Sequence, residues 1–143
     1  MGMKEWSLGI IKPDAVNRSQ EILSIIEKNG LKVVLQKKFR FNEEILREIY
    51  KEISEEDYFP SFINFMMSNE CLVFVVEGEN AIEVFNELVG ATDPQKAKAG
   101  TLRNVFGTDI RRNAIHSSKD KKHFIKEFKI LFPDIDLKKI FQG

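Results

Sequence analysis

The chain has 143 residues, with 22 Lys and Arg against 22 Asp and Glu; that length buries one core, and the charge balance argues against nucleic acid or a membrane surface as partner. Its single cysteine, Cys71, lies in an apolar run, which excludes an internal disulfide and a cysteine metal cluster and reads as a buried small hydrophobe. No apolar run approaches the ~20 residues of a membrane span, and the first residues hold no secretory apolar stretch, so one cytoplasmic domain over residues 1–143 is expected.

Residues 6–11 are an apolar run stopped by Lys12-Pro13-Asp14, the pattern of a buried strand ending in a turn. Ile22, Leu23, Ile25 and Ile26 then recur at helical spacing, with Ser19 as the expected N-cap and Gly30 just beyond the end. Val33, Leu35, Lys37, Phe39 and Phe41 alternate along a long strand over 31–41. Asn42 caps an acidic first turn, Glu43-Glu44, ahead of a helix carrying Ile45, Leu46, Ile49 and Tyr50. Another helix is expected over 58–68, a buried strand over 71–77 ended by Gly78, and a helix over 80–89 capped by Asn80 and closed by Gly90. Residues 91–112 have little apolar period, three punctuators (Pro94, Gly100, Gly107) and several cations, so they read as a long ordered loop of the functional kind. A helix over 118–126, a short last strand over 128–132 and a polar tail anchored by Leu137, Ile140 and Phe141 complete the chain. This order predicts an α+β fold, a ferredoxin-like four-stranded antiparallel sheet covered by helices.

Any anion site in so balanced a chain must be built locally, and two segments are equipped to build one. Of the two histidines, His123 sits in a charged run and reads as a solvated helix residue, while His116 follows Ala114-Ile115 and precedes Ser117-Ser118. A neutral imidazole is a good nucleophile near pH 7, so His116 is the one worth a mechanism. Ile11-Lys12-Pro13-Asp14-Ala15-Val16, Gly90-Ala91-Thr92-Asp93-Pro94, Gly100-Thr101-Leu102-Arg103 and Asn113-Ala114-Ile115-His116-Ser117-Ser118, in that order, resemble the nucleoside diphosphate kinase family. The resemblance runs over about residues 6–133. It implies a ferredoxin-like fold, transfer of the γ-phosphate of ATP or another triphosphate to a nucleoside diphosphate through a phosphohistidine, and Mg²⁺ on the nucleotide phosphates. A homo-oligomer is also implied, with a hexamer favoured over a dimer or tetramer.

Carried over position by position, His116 matches the family's nucleophile and Glu127 the carboxylate that fixes its tautomer. Lys12 and Arg103 match the phosphate cations, and Tyr50 the aromatic beside Lys12 and the γ-phosphate. Thr92 matches a hydroxyl donor to the phosphates, Asn113 the group that bonds the sugar hydroxyl, and Ser118 the hydroxyl beside the histidine. Tyr58 and Ile110 stand where the family has the two walls of a base slot, a stacking arrangement that implies weak base selectivity. Arg111 and Arg112 read as loop cations.

The departures concern charge. Asn86 stands where the family has an Arg reaching the β-phosphate, Lys119 stands in place of an Asp, Asn104-Val105 replaces Gly-Asp, and Ala99 replaces a Pro. The expected function is therefore nucleoside diphosphate kinase. The alternative, a catalytically weak nucleotide-binding or assembly module of the same fold, gains weight from Asn86 and Lys119.

Overall fold

The computed structural model describes residues 3–140. Its strands are β1 (Lys4–Ile11), β2 (Lys32–Phe39), β3 (Cys71–Glu79) and β4 (Ile115–Ser117). Its α-helices are α1 (Ser19–Lys28), α2 (Glu43–Ile49), α3 (Phe59–Met66), α4 (Ala81–Val89), α5 (Leu102–Phe106), α6 (Lys121–Leu131) and α7 (Leu137–Ile140). The four strands form one sheet in the order β2-β3-β1-β4 with every neighbouring pair antiparallel, the expected α+β architecture. No helix among the described residues is long and apolar enough to cross a membrane.

Side-chain parity along the two central strands splits the core in two. Leu8, Ile10, Cys71, Val73 and Val75 pack with Leu46 and Ile49 of α2, Phe62 and Met66 of α3 and Phe124 and Phe128 of α6. Ile11, Leu72, Phe74 and Val76 pack with Ile22 and Ile26 of α1, Phe85 and Val89 of α4 and Leu102 of α5. Gly9 lies opposite Phe74 in the ladder, and a Cβ there would collide with the ring, so β1 has a glycine where the neighbouring strand has its bulkiest side chain.

Several local expectations are corrected. Ser19 is the first residue of α1 rather than its cap, and its hydroxyl donates to Val16 O at 2.6 Å. Asn80 precedes α4 in a left-handed conformation, φ 52°, with no side-chain cap bond; its backbone N–H donates to Met3 O at 2.8 Å. Gly78 lies inside β3, paired with Glu5. A bulge between Val33 and Leu35 breaks the alternation of β2, so Val33 packs on the α1 side and Val34, Leu35 and Phe39 on the other. The 91–112 segment is not all loop: α5 forms within it, with Thr101 Oγ1 accepting from Asn104 N at 3.4 Å as its cap.

The largest correction is at the end. Residues 128–132 are not a strand, because Phe124, Phe128 and Leu131 recur at helical spacing and Asp120 caps α6 by accepting from His123 N at 2.8 Å. The last strand is the three-residue β4, which contains His116. Leu137 does pack against the core, while Phe141 and the Ile140 side chain of the expected anchor lie outside the described part.

Candidate active site

Pairing of β1 with β4 joins the two chemistry-bearing segments. Ile10 faces His116 and Ile11 faces Ile115 across the ladder; Lys12 N donates to Ala114 O at 2.8 Å and Ser118 N to Leu8 O at 3.0 Å. Cross-strand partners share a face, so His116 lies with Ile10 on the α2/α3/α6 side. There α6 presents Glu127, buried to 1% exposure, whose Oε1 is 3.0 Å from His116 Nε2 and accepts from Ser118 Oγ at 2.7 Å. Burial alone would raise the Glu127 carboxyl, but the charge of His116 and the bonds from His116 and Ser118 outweigh it and hold the group below its ordinary range. That charge belongs to the protonated ring; when the ring is neutral, the tautomer that satisfies this carboxylate carries its proton on Nε2, which leaves the Nδ1 lone pair for chemistry.

The wall opposite is cationic and aromatic. Lys12 Nζ donates to Asn113 Oδ1 at 2.8 Å and lies 5.4 Å from the centroid of Phe62 and 5.9 Å from that of Tyr50. Burial, with the Arg103 cation adding to it, lowers the Lys12 ammonium to about 7. Arg103 donates through Nε to Ile115 O at 3.1 Å and through Nη1 to Gly90 O at 3.0 Å, which aims the rest of its fork; burial lowers it too. Neither cation makes an ion pair among the described residues. Tyr50 stands edge-on to His116, centroids 5.3 Å apart, and its buried hydroxyl has no hydrogen-bond partner there. Two cations without a carboxylate partner among the described residues, and a hydroxyl without any hydrogen-bond partner there, are what an incoming phosphate chain would satisfy.

Lys12, Tyr50, Tyr58, Thr92, Arg103, Ile110, Asn113 and His116 line one cleft of about 280 Å³, with Glu127 and Ser118 directly behind the histidine. All the site residues expected from sequence thus meet. A groove of about 370 Å³ lined by Trp6, Ile82, Phe124 and Leu137 is larger, but neither His116 nor the Lys12 and Arg103 cations line it. Asn113 is internally engaged: both Nδ2 protons go to carbonyls, Thr92 O at 2.9 Å and Ile110 O at 3.1 Å. Its Oδ1 therefore keeps one lone pair beyond the Lys12 bond, and that is the position open to a sugar hydroxyl. No group of three or more His, Cys, Asp or Glu among the described residues could hold a metal ion.

Four residues carry more than the sequence reading gave them. Asp14 Oδ2 accepts from Ala114 N at 3.0 Å, where Ala114 has φ 77°. Asn86, read as a missing cation, is a clamp: its Nδ2 donates to Ser118 O at 3.1 Å and Lys119 O at 3.3 Å, and its Oδ1 accepts from Ser117 Oγ at 2.5 Å. His123 is not merely solvated, since its ring nitrogens lie 2.9 Å from Glu52 and 2.7 Å from Asp120, tying the turn after α2 to the start of α6. Arg111 is not merely a loop cation, since its guanidinium lies 4.1 Å from the Tyr58 ring centroid on the cleft wall. Only the Asp14 position lay inside a recognisable motif; the others depend on contacts between distant segments.

The family model for nucleoside diphosphate kinase matches residues 5–137. A nucleoside diphosphate kinase of Ehrlichia ruminantium (strain Welgevonden) is 39% identical over 145 residues, 98% of this chain and 99% of that one. One of Thermobifida fusca (strain YX) is 39% identical over 133 residues, 92% and 98% of the two chains. Among solved structures, a halophilic nucleoside diphosphate kinase from Halobacterium salinarum in complex with CDP superposes with a TM-score of 0.86 at 33% identity, covering 94% of this chain and 93% of that one. On sequence and fold alike, the chain belongs to the nucleoside diphosphate kinase family.

Proposed function

We propose that the chain transfers the γ-phosphoryl group of a nucleoside triphosphate to a nucleoside diphosphate in two half-reactions through phospho-His116. In the first, the Nδ1 lone pair forms a bond to the γ-phosphorus, the bond from that phosphorus to the β,γ-bridging oxygen breaks, and the diphosphate leaves with the electron pair. In the second, a β-phosphate oxygen of the acceptor takes the phosphoryl group and the ring nitrogen recovers its pair. Phosphoryl transfer asks the protein mainly for positioning and for charge around the moving oxygens. Lys12 and Arg103 supply that charge, Tyr50 and Thr92 supply hydroxyls, and Glu127, braced by Ser118, offsets the positive charge that builds on the ring. The base lies between Tyr58 and Ile110, and the sugar hydroxyl reaches Asn113. No cluster of carboxylates among the described residues could hold Mg²⁺, so the ion would come with the nucleotide and would add positive charge around the moving phosphate oxygens.

The reading includes a single 1–143 domain, a homo-oligomer with a hexamer ahead of a dimer or tetramer, and a cytoplasmic location; light scattering tests the assembly. The observation that carries the catalytic reading is that His116, its Nε2 engaged by Glu127, shares one cleft with two cations, Lys12 buried and Arg103 half-buried, that have no carboxylate partner among the described residues. The experiment is incubation with γ-labelled ATP and no acceptor. The expected product is protein label that is lost in acid, survives alkali, is discharged by a diphosphate and is absent from His116→Ala. Acid-stable label, or label kept in His116→Ala, overturns the mechanism.

A further inference from the structure

The outer wall of the base slot is a turn built by one carboxylate. Asp109 Oδ1 accepts the backbone N–H of Arg111 at 3.1 Å and of Arg112 at 2.7 Å, and its Oδ2 accepts from Arg112 Nε at 2.9 Å and Nη2 at 2.6 Å. Thr108 N and Asp109 N both donate to Arg112 O, at 2.7 and 3.2 Å, and Asn113 Nδ2 ties Ile110 O to the cleft floor at 3.1 Å. This turn consumes the Arg112 guanidinium. It leaves Ile110 49% exposed and sets Arg111 over Tyr58, its guanidinium carbon 4.1 Å from the ring centroid. Among the described residues Arg111 makes no ion pair and its side chain donates no hydrogen bond, although it lines the cleft with Tyr58, Ile110 and Asn113.

A guanidinium has five N–H donors in a planar fork and no acceptor, so stacking on an aromatic face leaves its donors unspent. We infer that Arg111 is a base-selecting residue, which donates its fork to the acceptor edge of the base held between Tyr58 and Ile110 and so favours guanine over adenine nucleotides. Guanine presents two adjacent acceptors, O6 and N7, that fit such a fork; adenine presents N7 beside an amino donor, which meets the fork donor to donor. The site is otherwise a stacking slot, indifferent to the base. Among the described residues lining the slot, Arg111 has a guanidinium fork that donates to no protein group; it rests over the Tyr58 ring in the ligand-free protein, and a base that stacks on that ring displaces the fork to the base's edge. The inference rests on the nucleotide reading of the cleft given above.

The test is equilibrium titration of the full chain with GDP, ADP, IDP and 7-deaza-GDP, for wild type, Arg111→Ala and Arg111→Lys. Wild type is expected to bind GDP about five- to tenfold more tightly than ADP, the low end of a bidentate contact because the rim is wet. IDP, which keeps O6 and N7 but lacks the 2-amino group, should follow GDP, and 7-deaza-GDP, which lacks N7, should fall toward ADP. Both variants should bring the GDP-to-ADP ratio close to one, since a lysine retains the charge but not the fork. A wild-type ratio near one, an unchanged ratio in both variants, or a parallel loss of both affinities at constant ratio overturns the inference, the last because it marks a packing role alone. Failure of the underlying reading shows differently: neither nucleotide binds, whichever residue stands at 111.

Discussion

Asp14 holds Ala114 in a left-handed backbone conformation: its Oδ2 accepts from Ala114 N at 3.0 Å, where φ is 77°, two residues before His116. A side chain with a Cβ rarely adopts that region, and the conformation persists because two bonds over-determine it, this one and the 2.8 Å bond from Lys12 N to Ala114 O. The Lys12-Pro13-Asp14 turn therefore places a cation in the cleft and also fixes the entry into β4, the strand that carries His116. Burial raises the Asp14 carboxyl, and its second oxygen, Oδ1, has no partner among the described residues, so the group is kept for its position at some energetic cost.

Asp14→Ala is expected to lower unfolding free energy by ~1–3 kcal/mol, the cost of leaving a buried N–H without its acceptor. It should also slow phosphorylation of His116 more than it weakens diphosphate binding, because Lys12 and Arg103 remain. Denaturant unfolding and single-turnover labelling check the two parts; a rate unchanged at full occupancy would show that Ala114 geometry is irrelevant to the chemistry.

Glu127→Gln keeps an oxygen able to accept from both His116 and Ser118 but removes the negative charge. In the proposed mechanism the ring becomes cationic as Nδ1 bonds to phosphorus, so the loss should fall on the transition state and the phosphoenzyme rather than on the bound nucleotide. The expected outcome is a phosphorylation rate lower by ~10²-fold with the diphosphate Kd nearly unchanged. Rapid-quench labelling beside titration calorimetry separates these terms, and an effect confined to Kd contradicts the assignment.

Lys12 makes binding depend on pH. Its ammonium sits at about 7 in the free protein, pushed down by burial and then by Arg103, and an entering phosphate favours the charged form. Diphosphate binding should therefore take up protons above pH 7, and affinity should fall as pH rises, by up to ~10-fold per unit while the bound ammonium stays charged. Calorimetry at pH 8 in two buffers of different ionisation enthalpy measures the uptake, which should vanish in Lys12→Met. The sign for stability is the reverse. From about 7 up to the ordinary lysine value of 10.5 the unfolded chain binds the proton that the folded chain has shed, so this group makes unfolding of the ligand-free protein harder as pH rises through that window.

The Asn86 clamp changes what an added cation should do. An arginine there would supply a charge-assisted phosphate contact of ~1.5–3 kcal/mol, yet it removes three bonds that hold residues 117–119 behind His116. Asn86→Arg is expected to tighten ADP and GDP alike by less than that range and to lower Tm, while Asn86→Ala lowers Tm with no gain in binding. Titrations at low and high salt with thermal melts decide it; unaltered melting in both variants would show that the clamp contributes nothing.

Much of this was legible in the sequence because it was written in contiguous stretches. The strand 6–11 with its Lys-Pro-Asp stop, the Asn42 cap and the buried run from Cys71 each carry their own pattern within ten residues, and they suffice for the sheet and its helices. What stayed hidden depends on distant partners. Phe128, Ile130 and Phe132 alternate like a strand, and only packing of Phe124, Phe128 and Leu131 against the sheet decides for a helix. Asn86 meets Ser118 32 residues away, and Arg111 meets Tyr58 across the cleft, so composition cannot tell a clamp from a gap or a rim group from a surface charge. The bulge in β2 left no trace either, since both Val33 and Val34 suit a buried face.

The three-residue pairing of β4 with β1 also sets the order in which the protein becomes competent. Lys12 and His116 lie 104 residues apart and meet only through this short outermost ladder, after the β1–β3–β2 part of the sheet already has its partners. Contacts of such separation close late. A chain emerging during synthesis therefore has Tyr58 and Lys12 long before it has His116, and His116 has its carboxylate partner only once α6 has arrived to deliver Glu127. Protection of the Lys12 amide against hydrogen exchange, through its bond to Ala114 O, is accordingly a clock for the birth of the site as well as a measure of its rigidity.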